Sequence, residues 1–485
     1  MSKIVKNYIL NIIIVFANII FPMLLFPYAS RVLTAENYGK YSFALSVTSY
    51  FITLANLGVQ SYGLRELARV KSSIEEFKRE FSGIFMITMF SSVLSFFFYL
   101  AAVYLTPSLQ GEKELLLVMG LTVILAFMNL DYLFMALENH KRRTMRLIVT
   151  RGVSLIFLLI FVRKPQDYII FAIVMIIPEV LVKIADMYSI RSYLNFKIEK
   201  SEFRKHVKPL LIIFFYILSQ TAYLNLDSTM LGILKGNQSV GFYSVSIKMV
   251  KIVLPIIASL GVVLSPRIIE NIKHGRESEV YRDMEMNLNF IFFMTLPAAL
   301  LMFVLADNLI IMLSGNGYMA SIAPMRIMIP VIIFISISSF ASSQVLIPTN
   351  NEKKVLKVAL IGLGTNLILN LILIPKYSIL GAAVATLIAE FIVCYLRTRE
   401  IDKIFPNHKI LSGKQKLYIY PALLAFLVAG GLKYFNSRTG ILTGNVFMEF
   451  ILIGIIYKII YVGWLICKKE YFTYKVIEIL KSKLL

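Results

Sequence analysis

Long apolar runs recur along the whole chain, separated by short polar intervals. They lie at roughly 8–26, 41–64, 82–105, 115–137, 147–162, 167–190, 209–231, 241–264, 288–313, 324–347, 355–374, 378–396, 417–435 and 445–467. A helix crossing a bilayer needs about 20 such residues. The pattern therefore predicts an all-α polytopic membrane protein with 14 transmembrane helices. The fifth run is short, and only Pro375, Lys376 and Tyr377 divide the eleventh from the twelfth. The first run, Tyr8 to Phe26, is longer than the apolar core of a secretory signal, and no A-x-A site follows it. It is expected to remain as the first span. The longest outer segment is 27–40, too short for a soluble domain.

Charge supports the same division. With the N-terminus placed inside, 35 of the 50 Lys and Arg residues fall in the inner segments, and no outer segment holds more than two. That is the positive-inside pattern, and it places both termini in the cytoplasm. A missed or extra helix would invert the alternation from that point on. The net charge of +22 then reads as a cytoplasmic surface facing anionic headgroups, not as a nucleic-acid footprint. The composition agrees, with 58% hydrophobic residues, 16% charged residues and a mean hydropathy of +0.75. The longer basic inner segments, 65–80, 191–208, 266–287 and 397–416, are expected to lie along the interface as short helices.

An internal repeat organises the spans. Gly39-x-Tyr41-Ser42 returns as Gly241-x-Tyr243-Ser244, Leu57-Gly58-Val59 as Leu260-Gly261-Val262, and Arg65 as Arg267. Asn18 falls opposite Gln220. An even number of spans separates the copies, so they share one orientation. The plan expected is two six-helix bundles, an N-lobe at 1–200 and a C-lobe at 201–400. Two further helices and a cytoplasmic tail follow at 401–485. The substrate path would run between the lobes.

Polar residues inside apolar runs are costly in lipid, so they face a cavity or a packed neighbour. Ser42, Ser46, Ser49, Thr53, Asn56 and Gln60 form one stripe on the second span. The matching face of the eighth span carries Ser244, Lys248 and Lys251, followed by Pro255. Asn11 and Asn18, Gln220 and Asp227, and Asn366 and Asn370 sit on other spans, and the tenth is rich in serine. The candidate cavity residues are Lys248, Lys251, Arg31, Asn18, Ser46, Ser49, Gln220, Asn366 and Asn370. Asp131 and Asp227 are the candidates for ion coupling. Helix packing stands beside the cavity reading for the serine stripe, and snorkelling beside it for the lysines. Arg31, in the first outer turn, suits either an anionic substrate leaving the cavity or phospholipid headgroups.

Catalytic signatures are absent. His140, His206, His274 and His408 all fall in inner segments, where they are expected to be solvated. Cys394 and Cys467 make no metal spacing, and there is no phosphate loop or H-E-x-x-H. No metal or cofactor is expected, and no enzyme.

The stretches "FPYASRVLTAENYGKYSFA", "LANLGVQSYGLRELAR" and "NLDSTMLGILKGNQSVGFYSVSIKMV" together resemble the polysaccharide transporter family. These are Wzx-like flippases of O-antigen and capsule repeat units, within the multidrug/oligosaccharidyl-lipid/polysaccharide exporter superfamily. The resemblance implies a protein of the bacterial cytoplasmic membrane. It would move an undecaprenyl-diphosphate-linked oligosaccharide from the inner to the outer leaflet by alternating access. It also implies a polysaccharide polymerase and a chain-length regulator as partners, and leaves coupling to H+ or Na+ open. The alternatives are a cation-coupled multidrug exporter and a peptidoglycan-lipid flippase of the same superfamily. Lysine and arginine would meet the diphosphate, with Lys248, Lys251 and Arg31 the residues expected to do so.

Overall fold

A computed structural model describes the backbone of residues 3–191, 193–194, 200–406, 413, 415–440 and 445–474, with side chains outside 3–13, 15–16, 18–19, 200–204 and 262. Every element among these residues is helical. The chain divides into two compact units, Met1–Gly241 and Phe242–Leu485. The first holds α1 (Lys3–Asn56), α2 (Val59–Arg69), α3 (Ile74–Leu105), α4 (Pro107–Gln110), α5 (Lys113–Ile124), α6 (Asp131–Ala136), α7 (His140–Phe161), α8 (Tyr168–Ile190) and α9 (Lys200–Lys235). Helix α10 (Asn237–Lys251) begins there and runs into the second unit. That unit continues with α11 (Leu254–Lys273), α12 (Glu277–Val304), α13 (Ala306–Ser314), α14 (Ile322–Met328), α15 (Val331–Phe340), α16 (Glu352–Ile404), α17 (Lys416–Thr439) and α18 (Val446–Cys467). Among the described residues, 10 helices are long and apolar enough to cross a membrane, or up to 12 if each of two bent pairs is one span.

Two of these helices are too long for one crossing, and each is broken at a single residue. In α1 the break is Thr34, at φ 64° and ψ 167°. Phe26 and Tyr38, 12 positions apart, then stack with ring centroids 6.0 Å apart. A straight helix would separate them by about 18 Å, so the chain reverses at Thr34. The outer turn expected over 27–40 is thus mostly helix. In α16 the break is Ser378, at φ 49° and ψ −126°, and a Cβ on Gly381 would collide with the Leu373 carbonyl.

The repeated Gly-x-Tyr-Ser motif has a packing cause. A Cβ on Gly39 would overlap the Asn237 carbonyl, and one on Gly241 would overlap the Ala35 carbonyl. Helix α1 and the start of α10 cross backbone against backbone, which only glycine permits. The second repeated motif diverges. Gly58 has φ 78° and ends the turn before α2, whereas Gly261 lies inside α11.

Each unit has its own core. In the first, Phe77, Phe81 and Phe85 of α3 pack with Tyr132 and Leu133 of α6. In the second, Ala422, Ala425 and Ala429 give α17 a small face on which Tyr457 and Tyr461 of α18 settle. A polar network also fastens these last two helices. Lys433 meets Asp307 and Asn308, Asn308 donates to Glu449 at 2.8 Å, and Asn436 donates to the same carboxylate at 2.9 Å.

Three expectations are corrected. The fourth apolar run is not one rod: α5 and the segment carrying α6 bend by 45°, so Asp131 opens a new helix. The basic inner segments are largely ends of long helices. Helix α11 runs on to Lys273, α16 to Ile404, and α7 begins at His140. Of the four histidines, His206 is 1% exposed. Its ring packs against Tyr62, Nδ1 lies 2.8 Å from the tyrosine hydroxyl, and Nε2 lies 3.3 Å from Glu80. It pins α9 to α2 and α3. His408 lies outside the described residues.

Candidate functional site

The first unit contains a charged cavity of about 320 Å³ between α1, α6, α7 and α8. Arg143, Arg146, Thr150 and Arg151 line it from α7, on one helix face by their spacing. Helix α8 contributes Glu179 and Lys183, and Asp131 closes one side. Four cations thus face two carboxylates.

Not all four cations are equally available. Arg146 is held on both sides, with Nη1 2.8 Å from Asp131 Oδ1 and Nε 2.7 Å from Asp186 Oδ2. Asp186 is buried and also accepts from Arg142 at 2.9 and 3.1 Å. Among the described residues, no carboxylate lies within ion-pair distance of Arg143, Arg151 or Lys183. Arg151 lies over the Phe21 ring, 5.0 Å from its centroid, which leaves its donors in the cavity. Asp131, Asp186 and Arg146 build a scaffold, and the other cations are presented by it. Such a surface binds anions, and bidentate arginine suits phosphate oxygens in particular.

The residues singled out in the sequence are distributed as follows. Two positions of the serine stripe, Ser46 and Thr53, meet α9, whereas Gln60 stands on α2 and donates to the Asn129 carbonyl. Thr229 donates to Ser46 at 3.1 Å, Tyr50 lies 3.2 Å from Thr229, and Thr53 lies 2.9 Å from Thr221. Ser46 and Ser49 each donate to their own helix at 2.7 Å. Gln220 is half-buried on α9, and Asp227 is buried there. Lys248 is exposed and Lys251 half-buried, both in the last turn of α10. The chain breaks at Ile252–Val253 before Pro255 restarts it as α11, so both lysines complement the carbonyl end of a helix. Arg31 is exposed, one turn before the break at Thr34. Asn366 and Asn370 are buried on α16, with Asn370 Nδ2 donating to Asn366 Oδ1 at 3.0 Å. The side chains of Asn11 and Asn18 lie outside the described residues.

Arg143 and Arg146 were missed in the sequence because hydropathy assigns 138–146 to a loop. The available signal was their register with Arg151, which continues one helix face upstream of the apolar run.

The second unit holds a different cavity of about 690 Å³ between α11, α12, α15 and the π-helical turn Ala341–Leu346. Among the described residues, no charged side chain lines it.

Comparison with known proteins gives a consistent picture. The family model described as polysaccharide biosynthesis protein matches residues 4–272, and the MatE family model matches 213–372. A protein of Escherichia coli K12 named "Putative O-antigen transporter" is 24% identical over 404 residues, covering 81% of this chain and 95% of its own. An uncharacterized membrane protein of Methanocaldococcus jannaschii is 24% identical over 412 residues, covering 79% and 78%. The fold is that of the lipid II flippase MurJ in an inward closed conformation. The TM-score is 0.71 at 19% identity, covering 97% of this chain and 100% of that one. An inward-facing multidrug resistance MATE transporter of the MOP superfamily matches at TM-score 0.59 and 12% identity, covering 80% and 95%.

Proposed function

We propose a specific cargo from one premise: the chain belongs to the polysaccharide biosynthesis protein family. It is a multi-pass membrane protein of the flippase type found in the MOP superfamily. The cargo we assign is an undecaprenyl-diphosphate-linked oligosaccharide, moved from the inner to the outer leaflet of a bacterial cytoplasmic membrane. The observation that carries this reading is the charged cavity. Among the described residues Arg143, Arg151 and Lys183 have no carboxylate within ion-pair distance, and an anionic cargo would offset the cost of holding them in a lipid-embedded bundle. Lys248, Lys251 and Arg31 are the second set of cations in this proposal.

If α1 and α16 each cross twice and each bent pair crosses once, the 10 helices would supply the 14 spans expected from the sequence. The basic ends of α7 and α11 then face the cytoplasm, as the positive-inside rule requires. On that orientation the charged cavity would lie toward the cytoplasm, where a lipid-linked unit made there would enter. Rocking of two bundles would then present it to the opposite leaflet. In this structure Asp131 is paired with Arg146, so proton or sodium coupling through Asp131 would have to break that pair.

The test is reconstitution. Proteoliposomes loaded with undecaprenyl-diphosphate-linked oligosaccharide are followed by a glycosidase that reaches only the outer leaflet. Protein-dependent exposure of the inner pool is expected. Equal exposure with and without protein would sink the proposal. The MatE match favours a second reading, export of cationic drugs. It predicts drug accumulation in the same vesicles and no oligosaccharide exposure.

A further inference from the structure

The cavity of the second unit differs in chemistry from the charged one. Its apolar wall is built by residues such as Ile257, Ile291 and Phe340, and its polar strip by Ser336, Ser343, Asn287 and Gln344. Ser336 donates its hydroxyl to Ile332 at 2.7 Å and Ser343 to Ser339 at 2.8 Å, so both offer lone pairs to the cavity. Asn287 is 1% exposed; its Nδ2 donates to Gln344 Oε1 at 2.5 Å. Its Oδ1 is buried with no hydrogen-bond partner. A buried acceptor without a donor costs about 1–3 kcal/mol, and here it borders an open cavity.

The surrounding backbone is shaped around this amide pair. The turn Ala341–Leu346 is π-helical, a form that recurs at functional sites. A Cβ on Gly261 would overlap the Gln344 amide nitrogen, so glycine is what lets Gln344 reach Asn287. The unpaired group is an acceptor, and a hydrogen-bond donor carried on a neutral, partly apolar body would satisfy it. An anion would meet the Gln344 amide but no cation. A cation would find no carboxylate in the lining. A hydrocarbon chain would leave Asn287 unsatisfied.

We infer that this cavity is a subsite for a neutral sugar residue of the cargo, one that places a hydroxyl or amide N–H on Asn287 Oδ1 and an N-acetyl or deoxy face on the isoleucine and Phe340 wall. This rests on the transport function proposed above. The volume, about 690 Å³, falls within the usual range for small-molecule sites. The subsite makes the protein selective for neutral glycans over uronic acids.

The experiment measures affinity of the full chain in nanodiscs for three probes: undecaprenyl diphosphate, the same lipid bearing N-acetylglucosamine, and the same lipid bearing glucuronic acid. The wild type is expected to bind the N-acetylglucosamine lipid about tenfold more tightly than the bare lipid, as one neutral hydrogen bond plus apolar contact would give. The glucuronic acid lipid should show no gain. Asn287→Leu should bring the ratio of glycosylated to bare lipid to about one while leaving bare-lipid affinity unchanged. Asn287→Ala, which removes the acceptor without adding bulk, should do the same if Asn287→Leu fails to fold. A ratio that survives either substitution overturns the inference, as does an equal gain from glucuronic acid. Equal binding of all three probes by the wild type removes this subsite but leaves the flippase reading standing. Absence of binding to any of them removes both.

Discussion

The two cavities make the most instructive contrast in the molecule. The one in the first unit is small, crowded with charge and internally braced: Asp131 and Asp186 hold Arg146 from two sides. The one in the second unit is about twice the volume, carries no charge, and is braced by a single amide pair. Sequence repetition therefore did not preserve site chemistry. The repeated glycines at 39 and 241 serve a single helix crossing in the first unit, while Gly58 and Gly261 serve a turn and a packing gap respectively. The repeat carries the framework, and each unit's chemistry sits on residues outside it.

The sharpest way to break the contrast is to discharge the first cavity without touching its scaffold. Arg143→Ala combined with Arg151→Ala removes two cations that have no carboxylate partner among the described residues. Each charge-assisted contact to a phosphate is worth about 1.5–3 kcal/mol. Vesicle transport of the lipid-linked oligosaccharide should fall by about a hundredfold or more, with thermal stability near wild type. Unchanged transport would mean that the cavity does not hold the diphosphate.

Arg146→Ala should do the reverse and damage the scaffold. It leaves Asp131 without its arginine and the buried Asp186 with Arg142 alone. Breaking a buried pair costs about 3–5 kcal/mol. Because Asp186 keeps Arg142, a loss of about 3 kcal/mol is expected, read as a lowered midpoint in thermal or denaturant unfolding. A midpoint that does not move would show that Arg146 is a ligand group like its neighbours and not a brace.

How legible this was from sequence depends on the interaction involved. The apolar runs and the lysine and arginine asymmetry are one-dimensional signals, and they marked the helices well. The reversals at Thr34 and Ser378 fall within or beside the intervals left between runs, 27–40 and 375–377, but the sequence did not show that each is made at one residue inside otherwise continuous helix. Arg143 and Arg146 were not singled out because the basic first turns of α7 precede the apolar run 147–162 while still forming helix against α8. The polar stripe expected on one helix is broken after Asn56, with Gln60 on α2, and sequence alone does not say that Thr221 and Thr229 of α9 lie against Thr53 and Ser46. Asn287 and Gln344 are 57 residues apart, and only tertiary structure brings them together.

The second cavity can be closed from its back wall. Gly261→Ala puts a methyl where the Gln344 amide now sits. Overpacking of this kind costs about 1–3 kcal/mol. Gln344 should be pushed off Asn287, giving a modest fall in unfolding midpoint and loss of any preference for neutral sugars. The first cavity should be untouched, so affinity for bare undecaprenyl diphosphate should hold. A fall in that affinity would show that the substitution disturbs more than the second cavity.

The smallest expected effect is a pH control on the first unit. Glu112, between α4 and α5, lies outside the membrane-spanning segments and is buried. Burial holds its carboxyl above the ordinary range, although Lys40 Nζ stands 3.8 Å away and Asn237 donates to it at 2.9 Å. The folded state therefore binds a proton more readily than the unfolded chain. The sign follows: stability is fullest below the ordinary carboxylate pKa and declines as pH rises through the window up to the raised folded value. Glu112→Gln should flatten that decline and change little below it, as seen in unfolding midpoints measured across mildly acidic pH. Any pH dependence that survives Glu112→Gln then belongs to other groups, with the charged cavity foremost. A curve identical to wild type would show that Glu112 is not the group titrating there.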